Sequence, residues 1–203
     1  MAEIKAADVK RLRDATGAGM MDAKKALKDA NGDFEKAKDL LRERGLGGAK
    51  KYADREANEG VVEAYLHKPD PHMPAKVGVL VELNCATDFV AKTEQFRDLA
   101  KHISMHISFA RPVYLTRDEV PDAEVQRERE IYENKAKAEN KPEKVIPKIV
   151  EGQLEAFFAD VCLLDQKWIR DDKKTIGDLL ATATSELGEP VRVKRFAYFK
   201  VGV

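Results

Sequence analysis

The strongest constraint in this sequence is a change of hydrophobic period shortly after residue 56. Before it, apolar residues recur every three or four positions, as on one face of a helix. After it, Val77, Val79, Val81, Leu83 and Cys85 fall on one face at a period of two. A helix-period pattern does not sit as a strand, so the chain must hold both kinds of element, with helices first.

Residues 1–56 read as a small helical module. Val9, Leu12 and Thr16 mark one helical face, ended by Gly17 and Gly19. A second helix puts Met20, Ala23, Leu27 and Ala30 on one side, and Asn31-Gly32 supplies a left-handed stop. Asp33 is a suitable N-cap for a third helix through Phe34, Ala37, Leu40 and Leu41, ending at Gly45. So small a bundle is weakly stable alone, which suits a binding head. The charged, alanine-rich residues 49–58 predict a helical linker.

Residues 57–203 predict a second, α+β unit. Val61–Leu66 and Val77–Cys85 make an antiparallel pair around a proline-studded connection over 67–76. A helix at about 93–109 carries the stripe Phe96, Leu99, Ala100, Ile103 and Ile107, and Pro112 ends it. Residues 117–144 read as a long exposed helix with Val125, Tyr132 and Ala136 as its few apolar positions, half of a helical hairpin. The other half runs from 147 to 159, with a kink or restart expected at Pro147. Val161–Ile169 reads as a strand. Thr175 caps a helix through Ile176, Leu179, Leu180, Ala183 and Leu187 that stops at Gly188 and Pro190, and Val191–Val201 is the last strand. The fold class is α+β: a three-helix bundle, then a small antiparallel sheet packed with helices, including a helical hairpin.

Charge narrows the partners. Thirty-six basic and 36 acidic residues cancel, whereas a nucleic-acid binder draws most of its affinity from a basic excess. A protein partner is therefore expected, and no nucleic acid. The sequence has no run of about 18 uncharged apolar residues, so no membrane span is expected. The N-terminus shows no signal-peptide pattern, which points to the cytoplasm. Cys85 and Cys162 stand far apart and read as buried thiols in a reducing compartment.

Signals for catalysis are poor. Gly17-Ala18-Gly19 lacks the preceding strand and the Gly-Lys-Ser/Thr of a phosphate loop. His102 and His106 have the i, i+4 spacing of a zinc pair, but no glutamate follows the first and no third ligand is evident. They read instead as an interface or helix-surface pair. No metal, cofactor or nucleophile is expected. The segment Asn84-Cys85-Ala86-Thr87-Asp88-Phe89-Val90-Ala91 joins an apolar strand to a helix. Thr87 or Asp88 can cap the turn, and Phe89 can cover the core; residue chemistry alone asks for no more.

Two long segments carry a resemblance. Thr16-Gly17-Ala18-Gly19-Met20-Met21-Asp22-Ala23-Lys24-Lys25-Ala26-Leu27, with Asn31-Gly32-Asp33 beyond it, resembles the N-terminal signature of the elongation factor Ts family. Glu82-Leu83-Asn84-Cys85-Ala86-Thr87-Asp88-Phe89-Val90-Ala91-Lys92 resembles the family's second signature, and Lys101 to Ile107 a third segment. The likeness spans essentially the whole chain. It implies a guanine nucleotide exchange factor, not an enzyme, that binds elongation factor Tu, both GDP-bound and nucleotide-free. It implies a head resembling ubiquitin-associated domains, contacting Tu through Gly17, Gly19, Met20 and Met21. It implies that Thr87, Asp88, Phe89 and Val90 intrude near the partner's Mg²⁺ site, dislodge the metal and release GDP. His102 and His106 are possible interface residues.

Longer members carry two copies of the core unit, with the Thr-Asp-Phe-Val segment in the first and the His-Ile-x-Met-His segment in the second. This chain has one copy with both, so the resemblance implies a homodimer that binds two Tu molecules. The competing readings are a passive helical binding module, which would not need the loop at 87–90, and an RNA-binding translation protein, which the zero net charge disfavours.

Overall fold

The computed structural model describes residues 4–16, 20–41, 55–70 and 72–202. In chain order these form α1 (Ala6–Thr16), α2 (Met20–Asp29), α3 (34–41), β1 (Glu59–His67), β2 (Val77–Cys85), α4 (Asp88–Ala91) and α5 (Glu94–Ala110). Then follow α6 (Asp122–Ala138), α7 (Ile146–Val161), β3 (Lys167–Trp168), β4 (Asp171–Thr175), α8 (Ile176–Leu187) and β5 (Arg192–Lys200). The chain divides into two compact units. One comprises Met1–Gly60, Asn84–Phe96 and Leu180–Arg192; the other comprises Val61–Leu83, Arg97–Leu179 and Val193–Val203.

The first unit opens with α1, α2 and α3 around one core of Val9, Leu12, Ala23, Ala26, Leu27, Ala30, Ala37 and Leu41, against which Ile4, Phe34 and Leu40 pack. Helix α2 ends as its sequence demands. Asn31 and Gly32 take positive φ (52° and 87°). The Gly32 amide returns to the Leu27 carbonyl at 2.8 Å and the Asn31 amide to Lys28 at 3.1 Å, the paired bonds of a glycine-type C-cap. Asp33 then caps α3 by accepting the Lys36 amide at 3.1 Å. The stop at Gly45 and the linker through residue 54 lie outside the described residues, and 55–58 are not helical.

The second unit holds a small antiparallel sheet in the order β1-β2-β5. Central β2 buries Val79, Val81, Leu83 and Cys85, as its alternation predicts. The predicted stripe of α5 is buried at every position. Arg111, in the left-handed region at φ 54°, and then Pro112 end that helix. Helices α6 and α7 form the hairpin, sharing a core of Ala136, Ile146, Val150 and Leu154 with Val125, Tyr132, Ile149 and Phe158 against it. Pro147 sits in the first turn of α7, where its missing N–H leaves no helical bond broken. The guanidinium of Arg117 staples this region. It bonds both oxygens of Glu155 (2.7 and 2.8 Å) and Asp165 Oδ1 (2.6 Å), and lies 4.8 Å over the Phe158 ring.

Two readings need correction. The long helix over 117–144 is shorter, since a 3₁₀ turn occupies Arg117–Glu119 and Asn140 at φ 56° follows the end of α6. The strand over Val161–Ile169 is not one. Helix α7 runs to Val161, a 3₁₀ turn covers Leu163–Asp165, and only Lys167–Trp168 pair with β4. Cys162 is buried with a single isolated parallel bridge to Tyr114, and buried Leu163 opens the 3₁₀ turn rather than continuing a strand. A short apolar run cannot tell those two causes of burial apart.

Candidate functional site

Helix α4 is a single turn that follows β2 directly, and its backbone is closed from both ends. Thr87 is the N-cap: its extended backbone (φ −130°, ψ 152°) turns the chain, and its hydroxyl accepts the Val90 amide at 3.4 Å. At the far end the Thr93 hydroxyl donates to the Val90 carbonyl at 2.7 Å and accepts the Phe96 amide at 3.3 Å, which starts α5. The Asn84 side-chain amide donates to Ala57 O at 3.1 Å and the buried Cys85 thiol donates to Thr87 O at 3.2 Å, so the approach to the turn is also tied.

Glu189 supplies the strongest tie. Its Oε2 accepts the amides of Ala86 (3.2 Å) and Thr87 (3.1 Å), and its Oε1 accepts the Thr87 hydroxyl at 2.7 Å. Sequence reasoning missed this residue. It lies 102 positions from Thr87, and the Gly188-Glu189-Pro190 stretch reads locally only as a helix stop.

The side chains on this fixed backbone point to different fates. Ala91 is buried, and Asp88 is half-exposed and bonded to Lys92 Nζ at 2.5 Å. That hydrogen bond, more than the charge alone, holds the Asp88 carboxyl below the usual carboxylate range. Phe89 is 80% exposed. The expectation that it could cover the core is therefore overturned: a large aromatic ring stands in water on a rigid turn, and the ring's transfer out of water is favourable wherever a partner can receive it.

The other predicted residues are more scattered. Gly17 and Gly19 lie outside the described residues. Met20 opens α2, and Met21, next on that helix, is 75% exposed. His102 and His106 do not act as a pair. His102 is partly exposed, accepts Arg170 Nη1 at 2.7 Å through Nε2, and is shifted below the ordinary histidine value by burial and then by the Arg170 charge. His106 is fully buried, with Nε2 3.0 Å from Gln166 Oε1. Because the Gln166 amide nitrogen donates to Asp160 O at 2.6 Å, the histidine is the donor in that bond. Burial lowers its pKa. A surface pair is thus corrected for His106, which has no exposed face to offer.

Both cysteines are free and buried; burial raises the Cys85 thiol and pushes Cys162 up to about 11, away from the thiolate a nucleophile needs. Among the described residues no cluster of three or more His, Cys, Asp or Glu could hold a metal, and no helix is long and apolar enough to cross a membrane.

A helical head and a braced turn holding an aromatic ring in solvent define an interaction protein. Comparison with known proteins places it more closely. The family model described as elongation factor TS matches residues 47–203. Elongation factor Ts of Frankia casuarinae is 51% identical over 201 residues, 99% of this chain and 98% of the relative. That of Caldanaerobacter subterraneus is 52% identical over 199 residues (98% and 97%), and that of Thermoanaerobacter sp. is 51% identical over 199 residues (98% and 95%). The chain belongs to the elongation factor Ts family, the guanine nucleotide exchange factors of elongation factor Tu.

Proposed function

We propose that Thr87–Val90 is the segment through which this chain expels GDP from elongation factor Tu. The observation that carries the reading is Phe89, 80% exposed on a turn whose backbone is bonded on every side. Asp88 and Phe89 enter beside the partner's Mg²⁺ site, the ring acts as a wedge, and the metal leaves. Mg²⁺ is the largest local charge on the bound phosphates, so its loss loosens the backbone amides that cradle them. No bond in the nucleotide breaks, so the chain needs no catalytic residue or cofactor of its own.

Magnitudes require a second contact. Burying a phenylalanine contributes roughly 1.5–3 kcal/mol, and about 1.4 kcal/mol is tenfold in affinity. Shifting nucleotide affinity by several orders needs more than one ring. The head formed by residues 1–56, similar in build to a ubiquitin-associated domain, supplies the rest, with Gly17, Gly19, Met20 and the exposed Met21 toward Tu. The coupling is reciprocal: the factor weakens nucleotide binding by the ratio in which nucleotide weakens the factor. This activity belongs in the cytoplasm.

Residues 57–203 serve as core and dimerisation domain, giving a homodimer that binds two Tu molecules. The outer face of the sheet supports this. Val62, Leu66, Leu80 and Phe199 are exposed there, and a Cβ built on Gly78 would meet Leu66 Cδ2 at 3.3 Å, which puts Leu66 on the same side as Leu80. The chain covers 98% and 95% of the length of the Frankia casuarinae and Thermoanaerobacter relatives, so those are of similar length, which fits this reading.

Release of fluorescent GDP from elongation factor Tu, with and without this chain, tests the reading. Acceleration at micromolar factor is expected, and its absence ends the proposal. Light scattering should give a dimer that Leu80→Glu dissociates. A monomer that exchanges at full rate refutes the dimer.

A further inference from the structure

We propose that Glu189 is a positioning residue for nucleotide exchange: it completes, across 102 residues of chain, the cap that holds Asp88 and Phe89 in place. The inference rests on the reading of Thr87–Val90 as the exchange segment.

A helix that starts at a threonine is ordinarily closed by reciprocal bonds. The hydroxyl takes the amide three residues on, and an acidic or amide side chain at that third position takes the threonine amide in return. In α4 the third position is Val90, which cannot accept. Glu189 does so instead and also takes the Ala86 amide, so one carboxylate gathers three donors from two consecutive residues. With its proton directed at Glu189, the Thr87 hydroxyl has a lone pair free for the Val90 amide.

The carboxylate is itself held. Gly188, at φ 70°, turns the chain out of α8, and its amide bonds Thr184 O at 3.0 Å. Pro190 is buried, and the Val191 amide bonds the Thr184 hydroxyl at 3.1 Å. Gln95 in the first turn of α5 bonds Glu186 on α8 at 2.6 Å, a second tie between the same two segments. Without Glu189 the Ala86 and Thr87 amides lose these acceptors, the turn samples other conformations, and the ring is presented a smaller fraction of the time. The N-terminal head, proposed above as the second contact, is not altered by the substitution.

GDP release from elongation factor Tu, measured against factor concentration, tests this with the full-length chain. Glu189→Ala should lower the maximal rate about tenfold, equivalent to about 1.4 kcal/mol of barrier, and move the half-saturating concentration by less than about twofold. Glu189→Gln should stay within about 1.5-fold of the parent rate, because its carbonyl accepts both amides and its nitrogen donates to the Thr87 hydroxyl. In a Phe89→Ala background, Glu189→Ala should cost less than about a further twofold, since both act through the ring.

Parent-like exchange by Glu189→Ala, while Phe89→Ala is slow, overturns the role of Glu189 and leaves the loop reading standing. Parent-like exchange by Phe89→Ala overturns the loop reading itself. A loss confined to half-saturation, a glutamine variant as slow as alanine, or additive losses in the double variant each refute positioning. Should Glu189→Ala not fold, Glu189→Asp, one methylene short of Thr87, carries the same expectation at about threefold, and parent-like exchange by it refutes positioning.

Discussion

Helices α8 and α4 both start at a threonine cap, but the first start is buried and the second stands in solvent. At α8 the cap is closed locally: the Thr175 amide donates to Asp178 Oδ2 and the Asp178 amide to the Thr175 hydroxyl, each at 3.0 Å. Ile176, first in that helix, is fully buried, and a Cβ on Gly177 would lie 3.1 Å from the Leu164 carbonyl. At α4 the equivalent positions hold half-exposed Asp88 and exposed Phe89, and the returning acceptor is Glu189. A local box commits the third position to an acid and allows the turn to be walled in. Moving the acceptor elsewhere frees that position for Val90 and lets a rigid turn put its apolar side in water. The first arrangement stabilises the fold, whereas the second equips a surface.

Removing the apolar group at each start tests that division. Ile176→Ala should have the largest effect, destabilising the fold by about 2–5 kcal/mol through the cavity it leaves. Exchange per folded molecule should hold. Phe89→Ala should do the reverse. Its thermal midpoint should match the parent, and GDP release should slow by about tenfold to a hundredfold, the worth of roughly 1.5–3 kcal/mol of ring burial. A Phe89→Ala protein that melts early but exchanges normally would erase the contrast. Asp178→Ala comes next. Loss of half the local box should cost about 0.5–2 kcal/mol in chemical denaturation, with exchange unchanged; slowed exchange would mean that α8 also serves the partner.

The same contrast explains what could be read from the chain. The α8 cap was legible because Thr175 and its helix lie together. Strand β2 was legible because a strand buried on one face must alternate, and the end of α2 because Asn31-Gly32 tolerates positive φ where other residues are strained. The exchange turn was legible only through resemblance, since chemistry alone allowed Phe89 to be a core residue. Exposure is a tertiary outcome that a four-residue turn does not encode. Glu189 was invisible for a related reason: its three acceptor bonds form only after distant segments meet. The run after Val161 misled because burial by a 3₁₀ turn and burial by a ladder select the same apolar residues.

The smallest effect belongs to the one local ion pair on the exposed turn, Asp88 with Lys92. Lys92 depresses the Asp88 carboxyl, so that contribution is present above the usual carboxylate range and is lost as pH falls through the depressed value. Asp88 raises Lys92, whose contribution is present below the usual lysine range and is lost as pH rises through the raised value. Both groups therefore stay charged across the neutral range, and the pair should make exchange no more pH-dependent there. Lys92→Met should return the Asp88 midpoint toward the ordinary carboxylate value, read by carbon NMR of the carboxyl group. Because the pair is solvent-screened and the turn is already closed by Thr87 and Glu189, the variant should exchange near the parent rate. A marked loss would show that α4 depends on its own local charges after all, and would bring it closer to α8 than its remote cap suggests.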